Sequence, residues 1–293
     1  MPPHHPVRGA LLCLTSLGLF ACMDTTTKYL AQHLQIPLIM AVRYFGNLLL
    51  MVLILAPREG RRIAETQRTR LVIVRGVCLA SASFCFGTAL TFMPVAETTA
   101  VNFLAPILVV VAAGRLMDEE VGWIGSLAAV LGFAGVLLIA RPGSGLAPLG
   151  IAFALGAAVA NGLYQFLSRL LASTERTVAL LFYTSLVGTV LFGLAAPWFL
   201  PARAPSGFEW LLLASLGMWG GLGHYLFTAA FRDAPASLLA PLNYLQLLWA
   251  GLLGWLVFGH LPDALTLLGM AIVALSGVLV ALKTRRPPPK RMA

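Results

Sequence analysis

Three charged side chains sit where charge is expensive. Asp24 and Lys28 lie four residues apart inside the first long apolar run, and Arg43 lies inside the next. At 3.6 residues per turn, Asp24 and Lys28 share one helix face. A charge buried alone in hydrocarbon costs several kcal/mol, so each needs a partner or a water-filled cavity. Arg43 offers a planar fork suited to carboxylates and stays charged at every physiological pH. Lys28 is a second cation unless Asp24 neutralises it. Two cations against one acid leave one net positive charge, which favours a ligand with at least one carboxylate, often a zwitterion. Asp24 is also the better candidate for a coupling proton. The alternative for all three is a structural ion-pair cluster that pins the first helix to the second.

Further polar residues lie deep in apolar runs: Tyr44, Asn102, Tyr164, Gln165, His224, Asn243, Tyr244 and Gln246. With Asp24, Lys28 and Arg43 they form the candidate binding and translocation set. Asn102 and Asn243 suit hydrogen bonds to backbone or substrate, or between helices as packing glue. Tyr44, Tyr164 and Tyr244 suit an amphiphilic ligand or plain packing. His224 suits a proton relay or a packing role. The cysteines Cys13, Cys22, Cys78 and Cys85 fall in apolar runs without CxxC spacing, and read as small core residues. No metal site and no cofactor is expected.

The elements that must position these residues are membrane spans. Of 293 residues, 59% are hydrophobic and 11% charged, where a soluble domain carries about 25% charged residues. So much apolar surface calls for lipid as the solvent. Runs long enough to cross occupy approximately 9–31, 37–56, 71–92, 96–114, 121–140, 148–170, 178–199, 209–230, 236–258 and 263–282. The fold expected is an all-α membrane protein of ten transmembrane helices. The N-terminal run reads as an uncleaved first span, since Asp24 and Lys28 stand where a small-residue cleavage site would be. The tail 283–293 is basic and Pro-rich.

Charge sets the orientation. With the N-terminus inside, the inner segments carry fifteen Lys and Arg and the outer loops only Arg141 and Arg203. That bias places both termini in the cytoplasm of a bacterial-type inner membrane. The formal net charge of +9 is explained by these loops and the tail, so no nucleic acid is expected as a partner. Arg75, near the inner end of the third run, can snorkel and is given no function.

The chain also repeats. At an offset of 141 residues Asp24 meets Gln165, Lys28 meets Arg169, Phe86 meets Phe227, Pro94 meets Pro235 and Asn102 meets Asn243. Five helices repeat as five, and an odd number turns the second copy upside down. Such inverted repeats around a central cavity are the signature of alternating-access carriers. The units are 1–143 and 144–282. Pro94, Pro106, Pro235 and Pro241, at or near helix ends, are candidate bends for gates.

The stretches AETTAVNFLAPILVVVAAGRLMDEE (96–120), VLGFAGVLLIARPG (130–143) and APASLLAPLNYLQLLWAGLLGWLVFG (234–259) resemble the EamA-type transporters of the drug/metabolite transporter superfamily. The resemblance covers nearly the whole chain as two EamA units. It implies ten helices around a central cavity with both termini cytoplasmic. Similar proteins export amino acids or amino-acid-derived metallophores, and others carry riboflavin, S-adenosylmethionine or purines. Family second halves often have Gly-Glu after the ninth helix. This chain has Gly259-His260, so the role of that Glu does not carry over.

The function expected is therefore secondary-active export of a small carboxylate-bearing metabolite, an amino acid or an amino-acid-derived compound such as an opine-type metallophore. Protons are the default coupling ion. Import of riboflavin or S-adenosylmethionine is the alternative. A membrane enzyme is remote, because no HExxH, GxSxG or Walker pattern occurs. Ten dissimilar helices favour a carrier over a channel.

Overall fold

The computed structural model describes residues 6–109, 122–141, 145–172, 174–201, 203–234, 239 and 242–283. Pro235, Pro241, the acidic run 118–120 and the tail beyond Lys283 lie outside them. The described residues are helical and contain no strand. In chain order the helices are α1 (Pro6–Leu30), α2 (Ile36–Glu59), α3 (Thr69–Phe92), α4 (Val95–Asn102), α5 (Gly122–Ile139), α6 (Pro148–Leu171), α7 (Thr177–Ala195), α8 (Gly207–Asp233), α9 (Gln246–Phe258) and α10 (Ala264–Lys283). Beyond a turn at 103–104, residues 105–109 continue as helix after α4.

Length and apolarity establish five membrane-crossing candidates: Val7–Leu30, Ile36–Ile54, Thr69–Phe92, Pro148–Leu171 and Thr177–Phe199. Val95–Val109, Ser126–Ile139, Asn243–Phe258 and Ala264–Leu279 are shorter apolar helices. Large apolar side chains cover the outside of the bundle, among them Leu53, Val130, Leu194 and Leu248. In water such a coat would aggregate; in lipid it is the solvated face.

Local chemistry sets where the helices begin and end. Ser206 and Glu209 form a reciprocal capping box at the start of α8, and Arg203 pairs with Glu209 at 3.0 Å. Asp263 accepts the Thr266 N–H at 2.8 Å and caps α10. The Thr266 backbone N–H, first of all, holds the Asp263 carboxyl below the usual carboxylate range, and Arg141 at 2.6 Å adds to it. Helix α9 stops at Gly259, whose φ of +67° puts it in the left-handed region that suits glycine.

Packing places the helices in pairs: α3 along α6, α1 along α8, α5 along α10, and α2 against α7 and α8. Glycines allow the closest crossings. Gly46 of α2 meets Gly217 of α8 backbone to backbone, and Gly135 of α5 meets Gly269 of α10. Without a hydrophobic force between helices in lipid, such close van der Waals contact is what holds them together. One core cluster joins α3, α4, α5, α6, α9 and α10 around Leu90, Ile139 and Val273; a second joins α2, α3, α7 and α8 around Met40, Tyr44 and Leu216. At one end, Glu175 accepts the backbone N–H groups of Gln67 and Arg68 at 3.0 and 2.6 Å, and Arg176 pairs with Glu59 at 2.6 Å. These contacts tie the α2–α3 connection to the α6–α7 turn.

Candidate translocation site

Asp24 is buried on α1, and its one described hydrogen bond is a long one, 3.5 Å from Gln246 Nε2 on α9. A buried carboxylate normally collects several donors, so this one is under-satisfied. Arg43 on α2 is the cation whose charge acts on it through space. The two make no ion-pair contact. Arg43 spends one Nη2 hydrogen bond on Ser83 Oγ of α3, at 2.7 Å, and lies 5.1 Å from the Tyr44 ring centroid. Its other N–H groups carry no described partner. Asp24 on α1 beside α9 and Arg43 on α2 beside α3 thus each keep hydrogen-bonding capacity that no described partner uses.

Lys28 does not pair with Asp24. Its Nζ donates to the carbonyls of Leu90 and Met93 at 2.7 and 2.8 Å, at the α3–α4 junction. The Phe258 ring lies 5.5 Å away. The two residues share a helix face, as spacing requires, yet Lys28 reaches toward the helix end. It lines a cavity of about 460 Å³ with Thr91, Val95, Leu146, Phe258 and His260.

Arg75 is the residue that sequence reasoning missed. Snorkelling would put its head in water, but the residue is only 4% exposed. Its guanidinium donates to Ser168 Oγ at 2.7 Å, Leu180 O at 3.1 Å, Thr184 Oγ1 at 2.8 Å and Tyr164 OH at 2.8 Å. All four partners are neutral, so the positive charge stays uncompensated by any described carboxylate. No signal in the sequence marks this, since an arginine six residues inside a helix can either reach water or stay within the bundle. The His224 ring packs 4.9 Å from Phe20, and the residue is exposed.

The tyrosines divide. Tyr164 belongs to the Arg75 network. Tyr44 is buried, shares a 2.8 Å hydrogen bond with Ser83 and stacks on Phe192 at 5.6 Å, so it packs. Tyr244 is buried against Phe103 at 4.9 Å and rests on Gly277 of α10. Asn243 accepts a weak bond from the Cys13 thiol at 3.8 Å. The Asn102 side-chain oxygen is buried without a hydrogen-bond partner, as are those of Thr25 and Thr99. Gln165 is half-buried and makes no described side-chain bond. The structure therefore joins Asp24 to Gln246 and Arg75 to Tyr164, and sets Lys28 apart from Asp24.

The model of the EamA-like transporter family matches residues 7–141 and again 148–282. An S-adenosylmethionine uptake transporter of Rickettsia felis is 27% identical, over 89% of this chain and 87% of its own. A riboflavin transporter of Vibrio cholerae is 27% identical over 93% and 92%. A pseudopaline exporter of Pseudomonas aeruginosa is 27% identical over 93% and 95%. One crystal structure of a protein, 23% identical, superposes with a TM-score of 0.69 over 95% of this chain and 99% of its own. That likeness speaks to fold alone.

Proposed function

The chain belongs to the EamA-like transporter family, and from that premise we propose that it is a secondary-active exporter of a small amino-acid-like metabolite bearing a carboxylate. The observation that carries this is the Asp24–Arg43 arrangement. Two opposite charges act on each other through space, each with unused hydrogen-bonding capacity. A zwitterion fits both ends: its carboxylate takes the Arg43 fork and its ammonium takes Asp24 beside Gln246. Arg75 adds a buried positive charge that biases the site toward anions without touching the ligand. Amino acids and amino-acid-derived chelators fit this lining.

The remaining expectations complete the proposal. The ten helices form two inverted five-helix units, 1–143 and 144–282, with both termini in the cytoplasm. The site lies between the units and opens alternately to either face. Protons drive the cycle. The runner-up is uptake of S-adenosylmethionine, favoured by the likeness to the Rickettsia felis transporter. That compound also ends in an α-amino acid, so the same two charges would hold it, while its sulfonium disfavours the cationic lining.

Thermal stabilisation of the purified protein tests the reading, with L-amino acids, N-carboxyalkyl amino acids, riboflavin and S-adenosylmethionine as the panel. Zwitterions with a carboxylate should raise the melting temperature, and Arg43→Gln should abolish the rise. Stabilisation by riboflavin alone, or equal stabilisation of Arg43→Gln, would reject the assignment.

A further inference from the structure

We infer that Glu97 and His260 form a proton-binding clamp that holds the outer end of the carrier shut. The inference rests on the carrier reading for the meaning of a closed end, but not on the identity of the substrate. Glu97 stands in the first turn of α4 and is 2% exposed. His260 Nε2 lies 2.8 Å from Glu97 Oε1, while Glu97 Oε2 is buried with no hydrogen-bond partner. The pair joins the start of α4 to the residue just past α9, two helices that pack on each other. Lys28 closes the same corner from α1 through the carbonyls of Leu90 and Met93.

Proton access is built in. The His260 side chain is 40% exposed and lines the cavity of about 460 Å³, whereas the Glu97 side chain is 3% exposed. Histidine therefore meets the medium and the carboxylate stands behind it. Imidazole takes up a proton within the physiological pH range. Once it does, an ordinary hydrogen bond becomes a charge-assisted one between imidazolium and carboxylate, shorter and roughly twice as strong. Acid outside tightens the clamp and alkali loosens it.

One neighbouring charge, that of Lys28, bears on the pair. From α1, Lys28 faces Glu97, its N–H groups largely spent on the two carbonyls. From the far side of α9 comes His260 itself. The adjoining ends of α3 and α6 bring no described acid or base, and α5 and α10 end in the mutually paired Arg141 and Asp263. The pairing of residue types does not repeat in the sequence. At the offset of 141, Glu97 corresponds to Leu238 and His260 to Glu119, and a leucine cannot hold a carboxylate. A pair that the second unit's sequence does not repeat is able to favour one facing of an alternating-access cycle over the other.

The test uses the full chain in lipid nanodiscs with no substrate. Cys13, Cys22, Cys78 and Cys85 are replaced by alanine, and spin labels are placed at Phe92 and Leu261, both exposed beside the clamp. Between about pH 5.5 and about pH 7.5 the widely separated population should rise at least about threefold. In His260→Gln and in Glu97→Gln the distance distribution should not change over that interval. An unchanged distribution in the protein with both residues intact would overturn the inference. So would a wild-type pH response in either variant. Because no substrate is present, failure of the proposed substrate class would leave this result standing.

Discussion

The Arg75 guanidinium meets Tyr164 twice: Nη2 donates to the phenol oxygen at 2.8 Å, and the guanidinium carbon lies 4.3 Å from the ring centroid. With Ser168, Leu180 and Thr184 the same group ties α3 to α6 and α7. Interhelical hydrogen bonds in lipid average about 0.6 kcal/mol each. Replacing Arg75 with glutamine should therefore cost about 2 kcal/mol, read as earlier unfolding in a detergent or SDS titration. Tyr164→Phe removes one bond and should cost about 0.6 kcal/mol. Equal losses in the two variants would mean that Arg75 stands more freely than its geometry indicates.

Tyr44 is pressed against α7 where Gly188 leaves room for its ring. Gly188→Ala should destabilise by about 1–3 kcal/mol through overpacking. Adding Tyr44→Leu should recover part of that loss, whereas on its own Tyr44→Phe should leave transport nearly intact. Abolished transport in a folded Tyr44→Phe protein would return this residue to the ligand site.

Asp263 gives an acid-side prediction outside the spans. Its carboxyl is held below the ordinary value of 3.8, chiefly by the Thr266 N–H. A depressed carboxyl stabilises the fold above its unfolded value, and that contribution fades as pH falls through the lower folded value. Melting temperatures measured from about pH 5 down to about pH 2.5 should converge for the parent and Asp263→Asn. A gap that stays constant over this range would show that the cap carries no charge-dependent part.

Much of the fold was legible because a lipid-facing helix must be apolar for its full length. The runs predicted at 71–92 and 148–170 correspond closely to α3 and α6. The site was legible only in part. Asp24, Arg43 and Gln246 stood out as polar groups inside apolar runs, and Gln246 does reach Asp24. The partners of Lys28 were not legible, because carbonyls 62 and 65 residues away carry no signature in a side-chain pattern. Arg75 was set aside because distance to a helix end cannot reveal whether neighbouring helices block the way out. The Glu97–His260 contact joins residues 163 apart in sequence, and neither lies deep enough in a run to look costly.

The Asp24–Arg43 pair predicts a split by chemical end. Asp24→Asn should weaken compounds with a free ammonium about tenfold or more while sparing simple carboxylates, and Arg43→Lys should weaken both, since an ammonium cannot reproduce the planar fork. Competition measurements with an amino acid and its deaminated analogue would separate the two. Identical selectivity in the variants and the parent would place the ligand elsewhere.

The most direct measurement is untargeted metabolite profiling of cells and medium. Cells producing the parent protein would be compared with cells producing Arg43→Gln at equal membrane levels. The account predicts one compound with both a carboxylate and an amine that is depleted inside and enriched outside only with the parent protein. Indistinguishable profiles, or a transported compound with no carboxylate, would contradict it.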